Sequence, residues 1–483
     1  MPGTATANLR RVVIEPVTRV EGHGKVTLLL DKNNNVAQAR LHIVEFRGFE
    51  RFIQGRPFWE VPVLVQRLCG ICPVSHHLAA AKAMDMVVGA DTLTPTAEKM
   101  RRLMHYGQVF QSHALHFFHL ASPDLLFGFD ADPAIRNVIG VARKHPDLAV
   151  QGVMMRKYGQ EIIKATAGKK IHGNGAIPGG VNKNLSIEER DFLRKDADMM
   201  LAWAIEGLAL YKGLYQKDMA RLAAFGSFES NFVSIVRKDG CLDLYDGLLR
   251  AKDPDGAVIF DQVQPADYLE HIAEEVRPWS YMKFPFIRRL GPRKGWYRVG
   301  PLARINTCDR IDTPIAEQER EQFMRMGGGR PVHSTMAYHW ARLIELVHSA
   351  EKIKELLDDP DLQGADLVRT GPRRNRTVAW IEAPRGTLFH NYEVDDNDQV
   401  TMANLIVATT NNNEPMNQAI TAVARSHIAG AKEITEGLLN HIEVAIRAYD
   451  PCLSCATHAV GRMPLAAGLY DAGGREIASG TKE

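Results

Sequence analysis

Two patterns of hydrophobic and polar positions divide the chain. In the first fifty residues, "RVVIEPVTRVEGHGKVTLLLD" and "VAQARLHIVEF" carry short apolar runs on either side of the turn-rich "KNNN", which predicts a β-hairpin. After Pro73 the apolar positions recur at helical spacing, in "VSHHLAAAKAMDMVV", "TAEKMRRLMHYGQVFQSHALHFFHLA" and "SIEERDFLRKDADMMLAWAIEGLALYKGLYQKDMARLAAF". Long helices are therefore expected through the middle. Strand character returns in "TVAWIEAPRGTLFHNYEV", turns at "DDND" and resumes in "QVTMANLIVATT". One more helix, "MNQAITAVARSHIAGAKEITEGLLNHIEVAIRAY", is expected to lead straight into Asp450-Pro451-Cys452. No internal repeat, low-complexity tract or Pro/Ser-rich linker interrupts the sequence. The pattern predicts a mainly α (α+β) fold, with a large helical-bundle core and small antiparallel β elements at the N-terminus and near residues 377–408. Residues 1–52 would form the β-hairpin region and 53–458 the helical core, joined as one domain.

Composition narrows the class. With 45% hydrophobic and 24% charged residues among 483, the chain has a globular profile, and a formal net charge of +2 gives no signal for nucleic acid or an anionic membrane. The most apolar helical run, "MLAWAIEGLAL", falls short of the roughly 18 to 20 residues a spanning helix needs, and it contains Glu206. The N-terminal "MPGTATANLRRVVIEP" lacks the apolar segment of a secretory signal, so a cytoplasmic location is expected. Six cysteines are too few for a disulfide scaffold in a chain this long. Four of them form two C-x-x-C pairs, a pattern that points to metal or redox chemistry.

The first pair lies in "LCGICPVSHH", at the mouth of a predicted helix. Pro73 suits the first helical turn, Gly70 is expected to let the backbone pass close to whatever the sulfurs hold, and the helix N-terminus favours thiolate at Cys69 and Cys72. The second pair, Cys452 and Cys455 in "DPCLSCATH", follows a helix-ending Asp450-Pro451, with Ser454 and Thr457 as nearby hydrogen-bond donors. By spacing alone the four sulfurs would equally suit a closed structural zinc. Against zinc, the pairs sit at opposite ends of a chain large enough to need no staple, and soft thiolates also suit nickel and iron.

The flanks of both pairs carry a resemblance. "RLCGICPVSHHLAAA" from Arg67 and "DPCLSCATH" from Asp450 resemble the cysteine signatures of the large subunit of [NiFe] hydrogenases. "EPVTRVEGHGKV" from Glu15, "EFRGFERF" from Glu45, "GPLARIN" from Gly300 and "EAPRG" from Glu382 resemble the other blocks of that family, in the family's order. The short second motif and modest length are most similar to the soluble, pyridine-nucleotide-coupled members. The resemblance implies that Cys69 and Cys452 bind nickel terminally, and that Cys72 and Cys455 bridge nickel to an iron carrying carbonyl and cyanide ligands. It implies heterolytic cleavage of dihydrogen, with Glu21 of "RVEGH" as first proton acceptor; without the match, Glu21 would be read as an ion-pair partner of Arg19.

Further roles follow from the same likeness. Arg385 would stand over the open metal position with Asp450 holding it, Arg67 and His76 would offset the negative sulfurs, and Pro384 and Thr409 would line the cyanide side. At Thr409 the sequence departs from the family's common pattern, with Ala408 for Pro and Asn411 for Trp, and Ser112 stands where many relatives have Asp. Glu50 and His458 match magnesium ligands. The family cleaves its large subunit after the histidine matching His458, so residues 459–483 would be removed by a maturation endopeptidase working with metal-insertion factors.

Three histidines, His113, His116 and His119, share a helix face in "HALHFFHL". With no Glu-x-x-His partner helix in the sequence, they are read as hydrogen-bonded core residues. Cys241 and Cys308 are solitary, and no cysteine run suits an iron–sulfur cluster. "HGNGAIPGG" from His172 has its third glycine misplaced for dinucleotide binding. Electrons would therefore need a partner, and the resemblance implies a small subunit bearing a [4Fe-4S] cluster and, from the likeness to the pyridine-nucleotide-coupled members, flavin-bearing diaphorase subunits that bind NAD.

Overall fold

The computed structural model describes residues 9–43, 45–457, 465–470 and 476–482. Helix accounts for 49% of the chain and strand for 19%, so the fold is mixed, with several small sheets around the helices. Four long helices, Pro95–Leu115, Pro146–Ala167, Ile187–Lys217 and Ala337–Leu357, pack against one another. Their apolar faces form the largest core, with Phe110, Phe117, Leu208, Tyr211, Leu343 and Leu346 buried between them. Two of the starts are marked locally: Thr94 caps the Pro95 helix by accepting from the Ala97 amide, and Ser186 and Glu189 form a reciprocal capping box. No helix among the described residues is long and apolar enough to cross a membrane.

The N-terminal region has three antiparallel strands, Arg10–Ile14, Gly24–Leu30 and Val36–Ile43, instead of a plain hairpin. The first arm of the predicted hairpin is broken between Ile14 and Gly24. That interruption is a loop carrying Glu21, and there Gly22 adopts φ +81°, where a Cβ would lie 2.7 Å from the Ser454 backbone nitrogen. Near the other end, Arg376–Ala383, Gly386–Val394 and Val400–Ile406 form the expected antiparallel sheet, with Ala383 paired to Gly386. Pro384 and Arg385 are thus the two residues at the tip of a tight hairpin.

Two expectations need correction. A four-stranded sheet occupies part of the supposedly helical middle, from Asn231–Val236, Leu248–Lys252, Val258–Val263 and the short Tyr297–Arg298. Its first strand is buried along its whole length, so it shows no polar alternation to read. The last long helix is in fact two, Asn413–Val423 and Glu436–Ala448, separated by a π-helical turn, by Gly430 at φ +74° and by a fresh N-cap at Thr435. Only the second of these delivers Cys452.

Candidate metal centre

Two helix ends bring the cysteines together. Cys72 is the N-cap of Pro73–Val87, and the amides of Ile71 and Cys72 donate to Cys69 Sγ at 3.2 and 3.1 Å. From the other side, Glu436–Ala448 ends at Tyr449, and Asp450 turns the chain in the left-handed region at φ +53°. All four sulfurs are buried and lie within 4.8 Å of one another, with Cys69 and Cys452 Sγ 3.3 Å apart. Gly70 is not needed for close approach, since a Cβ there would meet nothing within 4 Å. The tight glycine is Gly22.

Without a metal, Cys69, Cys452 and Cys455 influence one another's titration. Burial would raise the Cys69 thiol, but hydrogen bonds from Cys452, Cys455 and Cys72 and the charge of Arg385 hold it well below its ordinary value. Burial, together with neighbouring sulfurs, pushes Cys452 and Cys455 well above theirs. A thiolate at Cys69 thus sits beside protonated Cys452 and Cys455, and a cation would be required to ionise those two.

Glu21 closes one side. Its Oε2 accepts from Cys452 Sγ at 2.9 Å and from the Ser454 amide at 3.2 Å, while the Ser454 hydroxyl donates to Oε1. The backbone is tied as well, because the Leu453 amide donates to the Glu21 carbonyl at 3.0 Å. Arg19 takes no part: it donates to Asp124 Oδ1 at 2.6 Å and to the Leu120 carbonyl at 2.8 Å. Arg447 braces the same loop, donating to the Thr18 carbonyl at 3.0 Å and to Asp124 Oδ2 at 2.8 Å.

Beside the sulfurs a small cavity is lined by residues that include Cys72, His76, Pro384, Arg385, Thr409 and Cys452. Arg385 Nε donates to the Asp450 carbonyl at 2.6 Å and Nη2 to Asp450 Oδ1 at 3.1 Å. Burial opposes the Arg385 charge, yet Asp450 and the sulfurs of Cys72, Cys452 and Cys69 hold its pKa well above the ordinary value. Arg385 Nη1 and Asp450 Oδ2 are buried with no hydrogen-bond partner among the described residues. Four soft donors, a fixed cation and two unpartnered polar atoms beside one cavity fit a metal group with further small ligands. Thr409 Oγ1 accepts from the Cys452 amide at 2.9 Å, which leaves its hydroxyl proton for the cavity.

Comparison with known proteins places the chain in a family. A family model described as nickel-dependent hydrogenase matches residues 47–134 and 245–458, and one described as HoxL-like matches 11–46. The chain belongs to the nickel-dependent hydrogenase family. It is 51% identical to the NAD-reducing hydrogenase HoxS subunit beta of Cupriavidus necator, over 97% of this chain and 99% of that one. Among solved structures, an NAD+-reducing [NiFe]-hydrogenase in the H2-reduced state matches with a TM-score of 0.91 and 58% identity, covering 93% of this chain and 99% of that one. The reduced NiFeSe hydrogenase of Desulfomicrobium baculatum, at 22% identity and a TM-score of 0.74 over 93% of this chain and 100% of that one, shares the fold.

Other hydrogenase expectations are met unevenly. Burial lowers the pKa of His76 to about 4, so it brings no positive charge to the sulfurs; its Nδ1 lies 3.4 Å from His390 Nε2. Arg67 does not face the sulfurs: it is exposed, with Nη1 2.6 Å from His172 Nδ1, and it reaches Cys69 only through His172 Nε2, 3.1 Å from the Cys69 carbonyl. Glu50 is buried and accepts from the Leu405 amide at 2.8 Å. His458 lies outside the described residues, although the Thr457 carbonyl just before it accepts from the Arg47 amide at 2.9 Å, close to the turn carrying Glu50. His113 Nε2 is 2.9 Å from Glu345 Oε2 and His116 Nε2 2.6 Å from the Arg447 carbonyl, both in the core.

Sequence reasoning missed the support beneath the Arg385 hairpin. Arg304, fully buried, donates to the Ala383 carbonyl at 2.9 Å and the Pro384 carbonyl at 3.1 Å, and it pairs with Glu345 at 2.6 Å and Glu382 at 2.7 Å. Both Arg304 and Glu382 stand in the quoted "GPLARIN" and "EAPRG". The signal was present, but nothing in those segments pointed to the helix carrying Glu345.

Proposed function

We propose that this hydrogenase large subunit is the dihydrogen-cleaving component of an NAD-reducing complex, with nickel and iron held by Cys69, Cys72, Cys452 and Cys455. The observation that carries the reading is the Glu21 carboxylate at 2.9 Å from the sulfur of Cys452, which also lines the cavity beneath Arg385. When bound, the nickel–iron group, with its carbonyl and cyanide ligands, supplies the electron-accepting centre that polarises dihydrogen. The chain supplies the path for the proton. A proton on Cys452 Sγ passes to Glu21 Oε2, and the two hydrogen bonds from Ser454 keep the carboxylate aimed at the sulfur. Arg385, clamped by Asp450 on a hairpin that Arg304 supports, holds a fixed positive charge at the cavity wall, so no reorganisation is needed as charge develops.

Magnesium at Glu50 and His458 would be structural. The electrons need a carrier, and a small subunit with a [4Fe-4S] cluster and flavin-bearing diaphorase subunits for NAD are the partners this reading requires. Support for NAD as acceptor comes from two of the relatives described above, one named and one titled as NAD-reducing. Maturation would load the metals and then remove residues 459–483, of which 465–470 and 476–482 pair as an antiparallel hairpin.

The test is hydrogen-dependent reduction of NAD by the purified complex. Reduction is expected to require nickel in this subunit. Hydrogen-dependent reduction of an artificial dye without NAD reduction would retain the hydrogenase and reject the NAD assignment.

A further inference from the structure

A buried line of three side chains leads away from the sulfur-lined cavity. His390 and Tyr392 lie two residues apart on Gly386–Val394, so they share one face of that strand, and the face packs against the helix Pro73–Val87 that carries His76. His390 Nδ1 is 2.6 Å from the Tyr392 hydroxyl, and His390 Nε2 is 3.4 Å from His76 Nδ1. All three residues are buried.

The direction of the protons along this line follows from bonding rules. A buried phenol donates its hydrogen to a nearby acceptor. For Tyr392 that acceptor is His390 Nδ1, at the short end of the hydrogen-bond range. Tyr392 O–H therefore donates to His390 Nδ1, and a neutral His390 carries its own hydrogen on Nε2. That nitrogen faces His76 Nδ1 at 3.4 Å, a long contact in which a hydrogen set against a lone pair is favoured over two hydrogens or two lone pairs. His76 Nδ1 is then the bare nitrogen, and the single hydrogen of neutral His76 lies on Nε2. The ring of His76 lines the cavity beside Cys72 and Cys452.

We propose that Tyr392 and His390 are positioning residues that fix the tautomer of His76, presenting its Nε2–H to the sulfur-lined cavity as a hydrogen-bond donor. The opposite tautomer would leave only a lone pair on the nitrogen farther from His390, and so no donor for the cavity. A donor at that point withdraws electron density from the ligand it meets and holds the ring in one orientation, as partners behind metal ligands generally do. The inference deepens the metal-centre reading and rests on it for its catalytic consequence, but the tautomer itself is a property of the metal-free chain.

The test is long-range proton–nitrogen correlation NMR on full-length, metal-free protein labelled with nitrogen-15 histidine, with His76 assigned by its loss in His76→Gln. Wild type is expected to show His76 with a protonated Nε2 and a bare Nδ1. Tyr392→Phe and His390→Leu are each expected to lose that single form, giving a mixture or the Nδ1–H form. In matured enzyme, Tyr392→Phe is expected to shift the infrared bands of the iron's diatomic ligands with nickel and iron content unchanged, an effect that mere loosening of the sheet would not give. An Nδ1–H His76 in wild type overturns the proposal without touching the hydrogenase reading. So does an unchanged Nε2–H form in both variants, or in whichever one folds.

Discussion

Glu21→Gln separates proton transfer from metal binding. The glutamine is isosteric, and its amide oxygen can still accept from Ser454. Its NH2 would then face Cys452 Sγ, where the carboxylate oxygen now accepts at 2.9 Å, so a proton on that sulfur has nowhere to go. General acid–base catalysis is worth about 10²- to 10⁴-fold. At 1.36 kcal/mol per decade this is about 3–5 kcal/mol of barrier. The stability cost is smaller, about 2 kcal/mol, because charge-assisted hydrogen bonds from Ser454 become neutral ones. The assay is exchange between D2 and H2O on matured protein, with nickel and iron measured on the same sample. Exchange should fall at least a hundredfold with metals retained. Glu21→Asp should also be slow: the chain is shorter by about 1.5 Å, the length of one C–C bond, and the loop cannot follow because the Leu453 amide holds the Glu21 carbonyl and Gly22 lies against Ser454. Exchange within tenfold of wild type in the glutamine variant, with full metal content, would remove Glu21 from the proton path.

Arg304→Met should destabilise the chain by about 3–5 kcal/mol in urea unfolding, since it leaves two buried carboxylates, Glu345 and Glu382, without their cation; a loss under about 1 kcal/mol would show that the network adds little. Metal uptake should release protons from Cys452 and Cys455 and tighten as pH rises, measured by indicator dye during zinc titration of the metal-free chain, and uptake without acidification would contradict the protonated state assigned to them. Cys308, whose pKa burial pushes up to about 12 from 9, stabilises the fold fully below pH 9 and loses that contribution as pH climbs from 9 through 12. Cys308→Ala should therefore flatten the decline in urea midpoint across the lower part of that range, and an unaltered pH slope would rule the residue out.

Most of the centre was legible because the chemistry is concentrated in short segments. Cys69 with Cys72 and Cys452 with Cys455 announce themselves by spacing, and Glu21 and Arg385 by their flanks. The surroundings were harder to read because their meaning depends on partners far along the chain. Arg67 stands close to Cys69 in sequence, yet its side chain leaves for His172, which no local pattern indicates. Asp124 looks like any helix-start acid until Arg19 and Arg447 converge on it from opposite ends of the sequence. The Asn231–Val236 strand hid because it is buried on both faces, and the break at Gly430 because helical spacing resumes after it. Periodicity reports one exposed face, and elements without such a face leave little trace.

The most direct measurement is anomalous diffraction at the nickel and iron edges of the matured subunit. One nickel and one iron per chain, both among the sulfurs of Cys69, Cys72, Cys452 and Cys455, are the expected result. A single zinc in that place, or nickel and iron bound elsewhere, would contradict the bimetallic centre.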